Sequence, residues 1–240
     1  MPSRKRNKGK ERKAKKEAGK GAWWRLWTIE SKTVACNHGG EVPPHDHTVY
    51  RFMNTIDEEW KNNSLVAAMR NSFSKHPEVW NNDEHRQMTI GILLRMGTNM
   101  MLHRANEDKY KFQVSLVVTI AQAILLLECY GDKGNFEDAY NLADMKVHRS
   151  LPGHSGERDA LKFYSKRLAC TCLKEKYKLA RRTLPKLGMC EHCENFMQRE
   201  HLMTCGRCKV PRYCSRECQV AEWSHHDEVC GIYVNCQREM

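Results

Sequence analysis

Between residues 190 and 230 the chain sets eight metal-competent side chains in the order C-x2-C-x11-C-x2-C-x5-C-x3-C-x7-H-x3-C: Cys190, Cys193, Cys205, Cys208, Cys214, Cys218, His226 and Cys230. No other feature of the sequence restricts the fold so tightly. Each C-x2-C pair is a tight turn that can bring two sulfurs to one tetrahedral zinc at about 2.3 Å. Cys214 and Cys218 stand four residues apart, as do His226 and Cys230, so each pair projects from one face of a helical turn. Four pairs make two closed four-coordinate sites. A catalytic zinc keeps one position open for water, usually with three protein ligands. Here protein groups fill both sites, so two structural zinc ions are expected, and no enzymatic role for them.

The cysteines are unevenly spread: eight of the twelve follow position 189. The N-terminus "MPSRKRNKGKERKAKK" lacks the apolar stretch of a secretory signal, which points to an intracellular protein. There a cysteine cluster reads as metal ligands rather than disulfides. The most apolar run, "VSLVVTIAQAILLL" at 114–127, has fourteen residues including Ser115, Thr119 and Gln122. That is short of the roughly 20 needed to span a bilayer, so a buried core helix and no membrane association are expected. The formal charge of +11 is mostly local, because residues 1–20 hold ten Lys/Arg against Glu11 and Glu17. The result is a basic tail on a nearly balanced body.

Four segments follow. Residues 1–22 have too little apolar character to offset ordering entropy and are expected to be disordered. The run "SRKRNKGKERKAKK" suits nuclear import or a nucleic-acid contact, or simply a solvated tail, and carries no aromatic for base stacking. Residues 23–49 read as an irregular segment whose Trp23, Trp24 and Trp27 dock on the next domain. Within it Cys36, His38, His45 and His47 are acceptable zinc ligands. Their C-x-H-x6-H-x-H spacing matches no recognised site, and Gly39, Gly40, Pro43 and Pro44 indicate a loop.

Residues 50–186 are predicted to be helical, with apolar residues at three-to-four spacing and a cap at Asn82 or Asp83. In "AILLLECYGDKGNFEDAYNLADMKVHRSLP" the placing of Tyr130, Gly134, Ala139 and Ala143 describes a helical hairpin. It resembles one tetratricopeptide repeat, followed by a degenerate pair in 156–187 without a turn glycine; a generic bundle fits equally.

"YCSRECQVAEWSHHDEVC" with the two preceding C-x2-C pairs resembles a MYND-type zinc finger over 190–230. Tyr213, Cys214, Cys218, Gln219, Trp223, His226 and Cys230 occupy the positions of that family's ending, and Trp-x2-His selects His226 over His225. The resemblance implies interleaved sites: Cys190, Cys193, Cys214 and Cys218 hold the first zinc, and Cys205, Cys208, His226 and Cys230 the second. It also implies a shallow groove for proline-containing peptides, with Trp223 giving apolar contact and Gln219 a backbone hydrogen bond. His192, His201, His225 and Cys236 are then exposed non-ligands. Arg207, Lys209, Arg212 and Arg216 are expected to offset the thiolate charge.

The whole reads as a mainly α protein: a helical, repeat-like domain, a cross-braced two-zinc finger and a basic tail. Its expected role is a non-enzymatic interaction adaptor, nuclear or cytoplasmic, with the tail favouring the nucleus. Two alternatives stand beside it. MYND fingers also occur within lysine methyltransferases of SET type, but "CNHGG" at Cys36 is not their motif and SET domains are β-rich. Nucleic-acid binding through residues 1–20 is the other.

Overall fold

A computed structural model describes residues 46–60, 64–102, 107–151 and 156–239. The expectations for the basic tail, the three early tryptophans, Cys36, His38 and His45 lie outside the described residues. The chain forms α1 (His47–Trp60), α2 (Leu65–Lys75), α3 (Pro77–Asn81), α4 (Asp83–Leu102), α5 (Glu107–Lys133), α6 (Phe136–Ser150), α7 (Glu157–Arg167) and α8 (Thr171–Thr183). Then follow β1 (Leu187–Met189), β2 (Phe196–Gln198), a 3-10 turn (Arg199–His201), β3 (Met203–Thr204), β4 (Arg212–Tyr213), α9 (Arg216–Ala221) and α10 (Trp223–Arg238). The two strand pairs, β1–β2 and β3–β4, are separate antiparallel ribbons.

Local chemistry sets the boundaries. Asp46 Oδ1 accepts from the Thr48 and Val49 amides at 2.8 and 2.9 Å, a side-chain cap that starts α1 at His47. Helix therefore begins three residues before the expected boundary at 50, and residues 47–49 are not irregular. Ser64 caps α2, Pro77 opens α3 where no amide is needed, and Asn82 accepts from Glu84 and His85 ahead of α4. Of the two candidate caps, Asn82 is the one used.

Helix α5 is the axis of the bundle, packed by α2, α3, α4, α6 and α7. Val117, Ile124 and Leu127 are wholly buried along it. The stretch Val114–Lys133 is long and apolar enough to cross a membrane. Its apolar character is accounted for here by the helices that surround it. The anticipated hairpin joins α5 to α6: Gly134 takes φ +74°, the left-handed conformation glycine tolerates, and its amide donates to Tyr130 O at 2.8 Å. Ala139 and Ala143 are buried, letting α6 approach closely. Tyr130 joins Phe73, Trp80 and Phe136 in an edge-to-face cluster with centroids 5.2–5.7 Å apart, and its hydroxyl donates to Asn81 at 2.7 Å. The second pair, α7–α8, turns without glycine, Cys170 Sγ accepting from the Leu173 amide. It folds back onto α4 and α5, while α6 receives α10.

The C-terminal module is seated on the helices by polar contacts. Arg212 donates to His148 O at 2.9 Å, and Tyr233 Oη donates to Asp144. His148 lies 3.6 Å from Asp144 and 3.3 Å from Glu191. Burial works against its charge, but the hydrogen bonds to these two carboxylates prevail and raise it to about 10, so the ring is cationic at neutral pH. Arg199 pairs with Asp159 and also donates to Leu187 O at 2.9 Å. Asp159→Ala would leave that guanidinium, 13% exposed, without its carboxylate. We expect a loss of about 3 kcal/mol, seen as a melting temperature roughly 10 °C lower; an unchanged melting temperature would show the pair contributes nothing.

Candidate metal centres

Two clusters of ligand atoms form in the C-terminal module. Cys190, Cys193, Cys214 and Cys218 gather within 4.8 Å of one another, as do Cys205, Cys208, His226 and Cys230. The ligands interleave along the chain in the order the resemblance implied. Tetrahedral zinc with 2.3 Å bonds separates neighbouring sulfurs by about 3.8 Å, far more than a disulfide's S–S bond. The sulfurs stand at matching distances: Cys193–Cys214 3.6 Å, Cys214–Cys218 3.4 Å and Cys205–Cys230 3.9 Å. Cys208 Sγ lies 3.5 Å from His226 Nε2, which identifies Nε2 as the ligand nitrogen. The donor set fits two structural zinc ions, with no position left for water.

Each ligand pair is held by its local backbone. After each knuckle the chain turns through a left-handed residue, Glu194 at φ 55° and Lys209 at φ 57°. The Glu194 amide then donates to Cys190 O at 2.9 Å and the Lys209 amide to Cys205 O at 3.0 Å. The knuckle spacing implied a tight turn at each place, but since neither residue is glycine the left-handed conformation itself was not legible. Ser215 caps α9 by accepting from the Cys218 amide at 3.3 Å, which places Cys214 and Cys218 on one turn. His226 and Cys230 come from α10 and are both buried.

The knuckles also prepare the sulfurs electrically. Burial opposes ionisation of Cys190, but the amides of Cys193, Cys214 and His192 outweigh it and bring the thiol down to about 6. Cys214, sharing hydrogen bonds with Cys218, Cys193 and Cys190, is pushed up to about 12. A divalent cation resolves this competition by displacing the remaining protons. Burial lowers His226, favouring the neutral imidazole that ligates metal.

Around the centres, Trp223 lies at the start of α10, 41% exposed, its ring edge-on to His226 at 5.8 Å. Gln219 is half-buried on α9, and its side-chain amide is uncommitted among the described residues. His192, His201 and His225 are exposed, as expected of non-ligands. Cys236 is not: it is 8% exposed, because α10 continues past Cys230 and turns this residue inward. Of the cations expected to balance the thiolates, Arg207 pairs with Asp227 at 3.7 Å while its charge still favours ionisation of Cys230, and Arg212 is engaged with His148 O. Sequence reasoning missed Gln237, which donates to Cys208 O and ties the end of α10 to the second knuckle.

Comparison with known proteins agrees with this geometry. The family model described as MYND finger matches residues 190–230. Histone-lysine N-methyltransferase SMYD3 is similar over 49 residues, at 35% identity in Homo sapiens and 33% in Mus musculus; those residues are 20% of this chain and 11% of each relative. N-lysine methyltransferase SMYD2 of Homo sapiens is 46% identical over 45 residues, 19% of this chain and 10% of the relative. The chain thus spans about a tenth of the length of the curated relatives it matches. No solved structure matches the chain. Two interleaved four-ligand clusters, the knuckle turns and the family match together make residues 190–230 a MYND-type zinc finger.

Proposed function

We propose that this chain is a non-enzymatic, intracellular interaction adaptor whose finger binds a proline-containing peptide across Gln219 and Trp223. MYND fingers are generally protein-interaction modules. The observation that carries the reading is a tryptophan left 41% exposed beside the ligand His226, where the other rings packed near that ligand, Tyr213 and Tyr233, are buried. Edge contact with His226 braces the ring, so it offers a flat apolar surface at little entropic cost. Gln219, on the helix just before, has a side-chain amide with no partner among the described residues, available to read a peptide backbone. An extended proline-rich segment loses little entropy on docking to such a surface.

A methyltransferase reading has less support. The similarity to methyltransferases lies within a stretch of 45 to 49 residues, and the described residues ahead of Leu187 are helical rather than β-rich.

The test is binding of the zinc-loaded full-length chain to an array of proline-containing peptides, beside Trp223→Ala. The variant should keep two zinc ions and lose about 2 kcal/mol of affinity, roughly thirtyfold in Kd. Equal binding by the variant would reduce Trp223 to a packing residue and make the finger a cap on the helices.

A further inference from the structure

The near-balance of the body conceals an uneven distribution of charge. Residues 157–186, the α7–α8 hairpin and the turn after it, hold ten Lys/Arg against Glu157, Asp159 and Glu175, a net charge of +7. Removing this segment and residues 1–20 leaves the rest of the chain at net −4. The hairpin, a folded element, is thus almost as cationic as residues 1–20.

Three of its cations are engaged: Arg167 with Glu128 at 2.7 Å, Arg158 with Leu184 O at 3.1 Å, and Lys176 with Met101 O. Lys166, Lys174, Lys178, Arg181, Arg182 and Lys186 are exposed, and none has an acidic partner among the described residues. Leu173 and Ala180 turn the opposite face of α8 into the protein. Lys174, Lys178 and Arg182 follow one another at i, i+4 and i+8, a stripe rising about 6 Å per step. Like charges at this spacing repel and destabilise a helix. Helix-dipole effects explain Arg181 and Arg182 in the last turn; they do not explain Lys174, near an N-terminus with no acidic residue in its first turn. The arrangement costs stability unless a polyanion covers it.

We propose that the α7–α8 hairpin docks on the phosphate backbone of a nucleic-acid duplex. A membrane surface suits it less, because the apolar face of α8 is spent on α7 and Leu179 alone among its large apolar residues is strongly exposed. Single strands suit it less as well. Tyr177 is half-buried under Arg181, at 5.9 Å, leaving no exposed aromatic on the stripe for bases to stack on. Contact with phosphates alone predicts affinity without sequence preference and with steep salt dependence.

The experiment measures binding of the zinc-loaded full chain to short DNA and RNA duplexes of one sequence, between roughly 50 and 200 mM salt. It compares K174Q/K178Q/R182Q with a charge-matched control, R51Q/K75Q/R149Q, after both are shown to be folded and to hold zinc like the parent. The stripe variant should bind at least about tenfold more weakly, its log–log salt slope reduced by about 3, while the control stays near the parent. Preference between the two duplexes then identifies which nucleic acid is favoured. Equal loss in both variants, no loss in the stripe variant, or binding only to anionic vesicles or polyglutamate would overturn the proposal.

Discussion

Cys208→Ser is expected to strip both zinc ions from the chain, not one. Cys208 is completely buried, facing His226 Nε2, and its carbonyl receives Gln237 from the end of α10. Loss of this ligand opens the second centre and releases α10 from the Cys205–Cys208 knuckle. The first centre cannot stand apart. Its Cys214 follows β4 directly, and β4 is held by β3, where Met203 pairs with Tyr213 and Thr204, immediately before Cys205, with Arg212. A module of about forty residues has little core of its own, and each structural zinc supplies on the order of 10 kcal/mol of folding free energy. Once α10 lifts, Tyr233 also leaves Asp144, so the seat on α6 is lost with the metal. Native mass spectrometry should find less than one zinc per chain, with amide protection lost across α9 and α10 and kept in α5. A variant holding one zinc with a protected finger would show that the two sites fold independently.

Gly97→Ala is expected to destabilise the helical domain by about 3 kcal/mol, reversing the gain of roughly 1 kcal/mol that this change brings inside an open helix. A Cβ at this position of α4 would stand 2.2 Å from Tyr164 Oη and 2.3 Å from its Cζ. The ring has nowhere to go: Tyr164 is fully buried on α7, edge-on to Phe163 at 5.3 Å, and its hydroxyl donates to Val117 O at 3.0 Å. Displacement therefore breaks a buried hydrogen bond as well as the packing. Thermal unfolding should fall by roughly 10 °C, and adding Tyr164→Phe should recover part of it by removing one of the clashing atoms. A rise in melting temperature would mean that α4 and α7 are not packed as described.

These two sites mark how far the sequence could be read. Ligand spacing is set by the coordination shell itself, so the eight zinc residues and their class were legible without structure. The α5–α6 hairpin was legible for a similar reason: Gly134 must take a positive φ, and Ala139 must let a neighbour in. Gly97 gave no such sign, since a glycine inside a helical pattern does not reveal which ring of another helix it faces. The seat of the finger on α6 was equally hidden. It depends on His148, Asp144 and Glu191 meeting across the fold, and isolated charges in a sequence carry no address for their partners. The same holds for the cationic hairpin, where the charges that lack an acidic partner among the described residues became visible only once Arg167, Arg158 and Lys176 had been assigned their partners.

The central claim is a finger cross-braced by two closed zinc sites, and its most direct test joins metal counting to zinc X-ray absorption on the full-length chain. Two zinc ions per chain are predicted, with a mean shell of about 3.5 sulfurs and 0.5 nitrogen per ion and sulfur distances near 2.3 Å. A single zinc per chain, or a shell containing oxygen from water, would contradict the account.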